Sequence, residues 1–215
     1  MKKITNTVLI SAALIILAAS CRRSSSTPAV VNSVQYPLTS AINQITAAFP
    51  SSGDVYFLDV KTHGYSFTPT ANGTITQLGY RFDNPLLSMA DFTLSLWDAI
   101  PASAPLATTG QQTFSFNANI IYFPITPVAV LAGQTYFVSR EFIPTAASSG
   151  YTSEYVGFLR RDPNNAILPL VVSLPQPGNV TINQSYFTDN ADPRTAMPIT
   201  NYDVNYLPYI DFEIQ

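Results

Sequence analysis

Apolar and polar residues alternate with period two along several short runs of this chain. In residues 91–97, Phe92, Leu94 and Leu96 fall on one face and Thr93, Ser95 and Trp97 on the other. Ile210, Phe212 and Ile214 alternate with Asp211 and Glu213; Ile121, Phe123 and Ile125 with Tyr122 and Pro124; Tyr136 and Val138 with Phe137 and Ser139; Val180 and Ile182 with Thr181 and Asn183. Such alternation predicts half-buried antiparallel strands. Clusters of turn formers separate the runs: Asn72-Gly73, Asp83-Asn84-Pro85, residues 101–105, Ala132-Gly133, residues 162–165 and residues 175–178. In residues 73–82 the parity slips, because Leu78, Tyr80 and Phe82 share a face that Ile75 does not. A β-bulge near Thr76 and Gln77 restores burial of both sets; a strand that begins later is the simpler alternative. One helix is expected over residues 39–48, where Ile42, Ile45 and Phe49 recur at helical spacing.

Many short strands with one isolated helix predict an all-β fold, an antiparallel β-sandwich or jelly roll. Composition agrees: charged residues make up 11% of the chain, while Tyr, Phe, Thr, Ser and Asn are plentiful. Pro127-Val128 with residues 132–136 reads as a turn feeding a strand, with Gly133 at positive φ and Tyr136 packing inward.

The N-terminus has a different pattern. Lys2 and Lys3 precede an apolar stretch, residues 8–19, which ends in the small residues Ala18 and Ala19 and is followed by Ser20 and then Cys21. A charged head, an apolar middle and small residues at a cut site predict an export signal peptide. The apolar run is shorter than the ~20 residues a membrane-crossing helix needs. Leu17-Ala18-Ala19-Ser20-Cys21 resembles the lipobox of bacterial lipoproteins, with Ala18 where Leu is more frequent. That resemblance implies lipidation of Cys21, the only cysteine in the chain, which therefore forms no internal disulfide. Residues 22–28 are polar and Ser-rich and read as a flexible tether. The expected organisation is a signal peptide over 1–20, a lipidated cysteine and tether over 21–33, and one β-sandwich domain over 34–215. Arg22 occupies the place where an Asp retains enteric lipoproteins on the inner membrane, which points to the outer membrane.

Of the 10 basic residues, Lys2 and Lys3 lie in the leader, so 8 remain against 13 acidic ones and the net charge becomes −5. A single lysine, Lys61, is left, and no basic patch attracts a phosphate backbone, so nucleic acid is not expected as a partner.

A family resemblance runs through "GYSFTPTANGTITQLGYRF", "FTLSLWD", "PLATTG" and "ITPVAVLAGQTYFVS", with a looser echo in "NYLPYIDFEI". These segments resemble the bacterial domain of unknown function numbered 4082. The resemblance implies a β-sandwich on secreted or surface proteins, suspected of binding carbohydrate, and transfers no catalytic residues. The Gly/Thr/His-rich turn usual before the Leu-Trp strand is replaced here by residues 84–91.

Candidate ligand contacts follow from strand parity. Trp97 falls with Thr93 and Ser95, so an exposed indole beside hydroxyls would stack on a sugar ring; the ordinary alternative is an indole covered by a loop or strand. Tyr122 and Tyr209 share this ambiguity. Asp189, Asn190 and Asp192 put hard oxygen donors close together, a weak calcium candidate beside the ordinary reading as a turn. His63 is the only histidine, and in Lys61-Thr62-His63-Gly64 it reads as a solvated residue at a strand-edge turn. No Gly-x-Ser-x-Gly elbow occurs, and a hydrolase would have to be built from carboxylates such as Glu141 and Glu154. The expectation is a non-catalytic binding module for glycans on a cell-envelope lipoprotein. A structural or assembly subunit is the alternative, and a glycoside hydrolase the third reading.

Overall fold

The computed structural model describes residues 33–48, 53–59, 62–82, 89–98, 102, 104–115, 117, 119–143, 154–160, 166–175, 177–188, 198, 200–201 and 206–215. Of residues 48, 53–59, 89 and 154–160 only the backbone is described. The chain divides into two compact units, 1–31 and 32–215, and all described residues belong to the second. The leader, Cys21, most of the tether, Asp189, Asn190 and Asp192 lie outside the described residues.

Among the described residues one helix, α1 (Pro37–Ala48), precedes the strands β1 (Gly53–Asp59), β2 (Thr62–Pro69), β3 (Gly73–Tyr80), β4 (Met89–Trp97), β5 (Ala107–Ser115), β6 (Ile121–Val130) and β7 (Tyr136–Ile143). Then follow β8 (Glu154–Arg160), β9 (Leu170–Val172), β10 (Val180–Thr188), β11 (Thr200–Asn201), β12 (Tyr206–Pro208) and β13 (Ile210–Ile214). All pairings are antiparallel. A seven-stranded sheet has the order β11-β10-β2-β7-β4-β5, with β9 also on β10; a three-stranded sheet has the order β13-β3-β6; a second three-stranded sheet is β1-β8-β12. The fold is therefore all-β and sandwich-like, as the alternation predicts.

The core lies between the seven-stranded sheet and β13-β3-β6. Tyr80 meets Phe92 edge-on at 4.9 Å, Phe67 stacks on Phe212 at 4.3 Å, and Phe114 meets Phe123 at 4.9 Å, each pair joining one sheet to the other. Offset and edge-on contacts of this kind are what the aromatic quadrupole favours. Phe92, Leu94 and Leu96 are fully buried in this layer, and Tyr136 packs inward as expected. Gly133 takes a φ of +75° in the turn before β7.

The bulge expected in β3 is present. Ile75 pairs with Ile214 and Gln77 with Glu213, so Thr76 is an extra residue against β13. Ile75 and Leu78 are both fully buried as a result. A second irregularity lies in β5, where Thr93 faces Gln111 but Ser95 faces Thr108. The additional length on β5 includes Gly110 at φ +65°, and Thr109 Oγ1 accepts the Leu94 N–H at 3.1 Å.

Two expectations need correction. His63 is not at a solvated edge turn: β2 is a central strand between β10 and β7, and His63 is fully buried on it, opposite Arg140. Asp211 and Glu213 alternate as predicted, yet their face is not solvent-exposed. Asp211 is fully buried and Glu213 nearly so, because α1 and two tyrosines cover that face.

The covering helix has an unusual start. Ser40 N donates to Tyr36 O at 3.0 Å, which makes Tyr36 the residue before the first turn, and a tyrosine side chain does not cap it. Asp211 supplies the cap from β13: its carboxylate accepts Leu38 N at 2.8 Å and Thr39 N and Oγ1 each at 3.1 Å. Pro37 at the first helical position has no N–H to satisfy. Leu38, Ala41 and Ile45 join the core.

Candidate ligand groove

The outer face of the seven-stranded sheet carries a groove of about 280 Å³ lined by residues of β2, β4, β5 and β7. Its geometry follows from register. Ser95 of β4 lies between Ser139 of β7 and Thr108 of β5. Two positions along, Thr93 lies beside Glu141, and Thr62 of β2 lines the groove near them. The middle of the face thus carries small hydroxyl side chains, while Trp97 and Pro105 at one end and Ile143 at the other stand higher. Small residues between large ones make the depression.

The residues at its floor are low in the sheet: Ser95 and Thr62 are buried as residues and both line the groove. Ser139 Oγ accepts the Trp97 indole N–H at 2.9 Å, which leaves the Ser139 O–H able to donate.

Trp97 is placed on this outer face, as strand parity predicts, but it is only 2% exposed. The expectation of an exposed indole is therefore corrected. Phe137 packs on Trp97, with Tyr186 and Ala102 closing the cluster, and the Phe137 and Tyr186 rings meet at 5.1 Å. This arrangement depends on Gly64. A Cβ there would lie 2.3 Å from the Val138 carbonyl and 2.6 Å from the Phe137 ring. Trp97 thus forms a wall and not a stacking platform.

Tyr209 is also corrected: it is fully buried, in the segment joining β12 to β13, with the Arg81 guanidinium 4.2 Å from its ring centroid. Tyr122 is half-buried on the other outward face, that of β13-β3-β6. Its ring crosses β3 over Gly79, where a Cβ would approach it to 2.6 Å, and its hydroxyl donates to Asp211 Oδ2 at 2.9 Å. Tyr36 packs against it at 4.7 Å and donates to Glu213 Oε2 at 3.2 Å. Gln77 Nε2 reaches the same Oε2 at 2.7 Å, and Thr76 Oγ1 donates to Oε1. Trp97, Tyr122 and Tyr209 therefore do not share a site.

Electrostatics distinguishes the two faces further. Burial pushes the Asp211 carboxyl up to about 6, while the N–H groups of Leu38, Phe212 and Thr39 and the Tyr122 hydroxyl oppose the rise. The Tyr122 phenol is raised by burial and by the Asp211 charge, so it remains a donor. Asp211 thus caps α1, and Glu213 holds Tyr36 immediately before it. In the groove, Glu141 is the one charged group among the described lining residues.

No sequence reasoning identified Thr62, Ser95, Thr108 or Ser139 as site residues. The parity of residues 91–97 placed Ser95 outward, but only the neighbouring strands show that it lies at the bottom of a depression. A search against protein-family models gives no match, and a search of curated proteins gives none.

Proposed function

We propose that this chain is a cell-envelope lipoprotein, anchored through Cys21, whose sandwich is a non-catalytic binding module for carbohydrate. The observation that carries the reading is the groove floor, where the small hydroxyl residues Thr62, Thr93, Ser95, Thr108 and Ser139 from four adjacent strands line one depression. A polyol ligand supplies donors and acceptors to such hydroxyls, and Pro105 and Ile143 at the groove's margins offer apolar surface to the carbon faces of a sugar ring. Its volume is near the low end of ligand pockets, about 300 Å³, which fits one ring better than a long chain. The resemblance to the domain of unknown function numbered 4082, and the lipobox-like leader with outer-membrane sorting, support the same setting.

Saturation-transfer NMR of the full-length protein in detergent against neutral monosaccharides and short glycans tests this. Binding that is lost in Ser95→Val and retained in Tyr122→Phe is the expected result. The absence of binding, or binding indifferent to Ser95, overturns it. Labelling with a fatty-acid probe that fails to mark the wild type, or marks Cys21→Ser equally, overturns the anchor.

A second reading, an assembly subunit, has one observation in its favour. β5 pairs only with β4 among the described strands, and its sequence ATTGQQTFS carries no charge to discourage a further strand. Light scattering decides: strict monomers at high concentration exclude it.

A further inference from the structure

We infer that the groove meets its saccharide with hydroxyls set to donate, and that Ser139 selects a sugar bearing an acylamino carbonyl over one bearing a free amine. The inference rests on the saccharide reading of the groove and adds the substituent class of the ligand.

Three hydroxyl residues lie in a row across the groove. Ser95 on β4 is paired with Ser139 on β7 on one side and with Thr108 on β5 on the other. At both ends of this row a protein N–H already occupies the oxygen. The Trp97 indole N–H donates to Ser139 Oγ at 2.9 Å, and the Gly110 backbone N–H donates to Thr108 Oγ1 at 3.1 Å. The second contact comes from the irregularity of β5, where Gly110 at φ +65° turns its N–H back onto Thr108. Bulges re-aim neighbouring groups in this way. A hydroxyl has one O–H to give and two lone pairs to offer. Once an N–H holds one lone pair and polarises the O–H, donation is the favoured remaining role.

The two ends differ in burial. Ser139 is 3% exposed, whereas Thr108 is exposed. A hydrogen bond from Ser139 competes less with water and so discriminates more among ligand substituents. Adjacent strands are about 4.8 Å apart, which puts the two ends about 10 Å from each other. One ligand oxygen cannot serve both. The ligand therefore offers two acceptors, a carbonyl oxygen at Ser139 and an ordinary sugar oxygen at Thr108. An acylamino sugar carries such a carbonyl, an oxygen that accepts and never donates. A free amino sugar instead sets an ammonium, which only donates, against the Ser139 O–H.

The test measures affinities of three methyl glycosides, those of N-acetylglucosamine, glucose and glucosamine, by saturation-transfer NMR titration of the full-length protein in detergent. The pH is about 6, where the amine is protonated. The expected order is the acetamide first, glucose second and the amine last, with about fivefold between first and last, the increment of one net hydrogen bond. The chain's net charge is negative, so long-range electrostatics alone predicts the opposite order. In Ser139→Cys, whose thiol is a weak donor, the ratio of acetamide to amine affinity should fall toward one. In Thr108→Val the acetamide and the glucoside should weaken together, with their ratio kept. Equal or tighter binding of the amine by the wild type overturns the inference and leaves the saccharide reading intact. So does a ratio that survives in Ser139→Cys, or one that is lost in Thr108→Val instead. If Ser139→Cys does not fold, the wild-type order and Thr108→Val, at an exposed position, decide. Failure of all three glycosides to bind, or binding retained in Ser95→Val, overturns the saccharide reading and the inference together.

Discussion

The two outward faces of this sandwich start from the same device and end differently. On each, a glycine on one strand lets an aromatic ring from a neighbouring strand lie across it: Gly64 beneath Phe137, Gly79 beneath Tyr122. On the three-stranded sheet the ring carries a hydroxyl that reaches Asp211, and Asp211 in turn holds the start of α1. Glu213 beside it accepts from Tyr36, the residue that precedes α1. On the seven-stranded sheet Phe137 gathers Trp97 and Tyr186 at one end and leaves Ser95, Ser139 and Thr62 low beside them. The first face uses its carboxylates to hold another segment of the chain; the second leaves small hydroxyl residues lining an open groove.

The largest expected effect comes from breaking the shared device where it is least forgiving. Gly64→Ala places its Cβ 2.3 Å from a backbone carbonyl, which cannot rotate away. Urea denaturation should show a loss of about 3 kcal/mol, the upper part of the overpacking range. Gly79→Ala meets the Tyr122 and Ile120 side chains, with no backbone atom among its three nearest contacts, so its cost should be smaller and accompanied by greater exposure of Tyr122. If the two variants cost the same, the backbone obstruction is not the distinguishing feature.

The pH dependence sharpens the comparison, since Asp211 belongs to the α1 face alone. Its carboxyl is raised from an ordinary 3.8 to about 6, chiefly by burial. Below about pH 4 it is protonated in both folded and unfolded chains and contributes no difference. Between about 4 and 6 the unfolded chain has released the proton while the folded one retains it, so stability falls as pH rises, and it levels off above 6. At about 1.4 kcal/mol per pH unit the total is about 3 kcal/mol. Chemical denaturation across this range in wild type and Asp211→Asn measures it; an undiminished slope in the variant assigns the effect elsewhere. Asp211→Ala removes the cap as well and should cost about 2 kcal/mol at every pH, read as loss of helical ellipticity before global unfolding.

Smaller effects separate the hydroxyls of the two faces. Tyr122→Phe removes one donor from a buried carboxylate that keeps others, and should cost about 1 kcal/mol. Ser95→Val removes a hydroxyl that faces the groove, so stability should change by less than about 1 kcal/mol. A large loss in Ser95→Val would mean that its hydroxyl serves the fold, and would remove the contrast between the faces.

Much of the sandwich was legible in the sequence. Strands with a strong apolar face, β4, β7, β10 and β13, announce themselves by alternation, and the bulge at Thr76 follows from requiring Ile75 and Leu78 to be buried together. Strand β5, ATTGQQTFS, was not, because it is an edge strand with Phe114 as its one large apolar residue. Strand β2 was obscure for the opposite reason: it is central and buried on both faces, yet carries Thr62, His63, Gly64 and Ser66. They are buried because β10 and β7 flank the strand and the Phe137 ring crosses Gly64, which no local pattern contains. The helix was visible from its spacing, but its start was not, since its cap comes from Asp211, 173 residues away from Leu38.

The sequence by itself determined which side of each alternating strand faces the core, because side-chain direction follows from the backbone period alone. It placed Trp97, Ser95 and Thr93 together on one outward face and Asp211 with Glu213 on another. Only the tertiary structure decided what becomes of those faces. Exposure depends on which distant segments pack above a residue, and that is set by strand order and register. Phe137 crossing Gly64 turned an apparently open indole into a wall; Tyr122 crossing Gly79 turned an open acidic face into a helix dock; and the small side chains left between the walls became the groove.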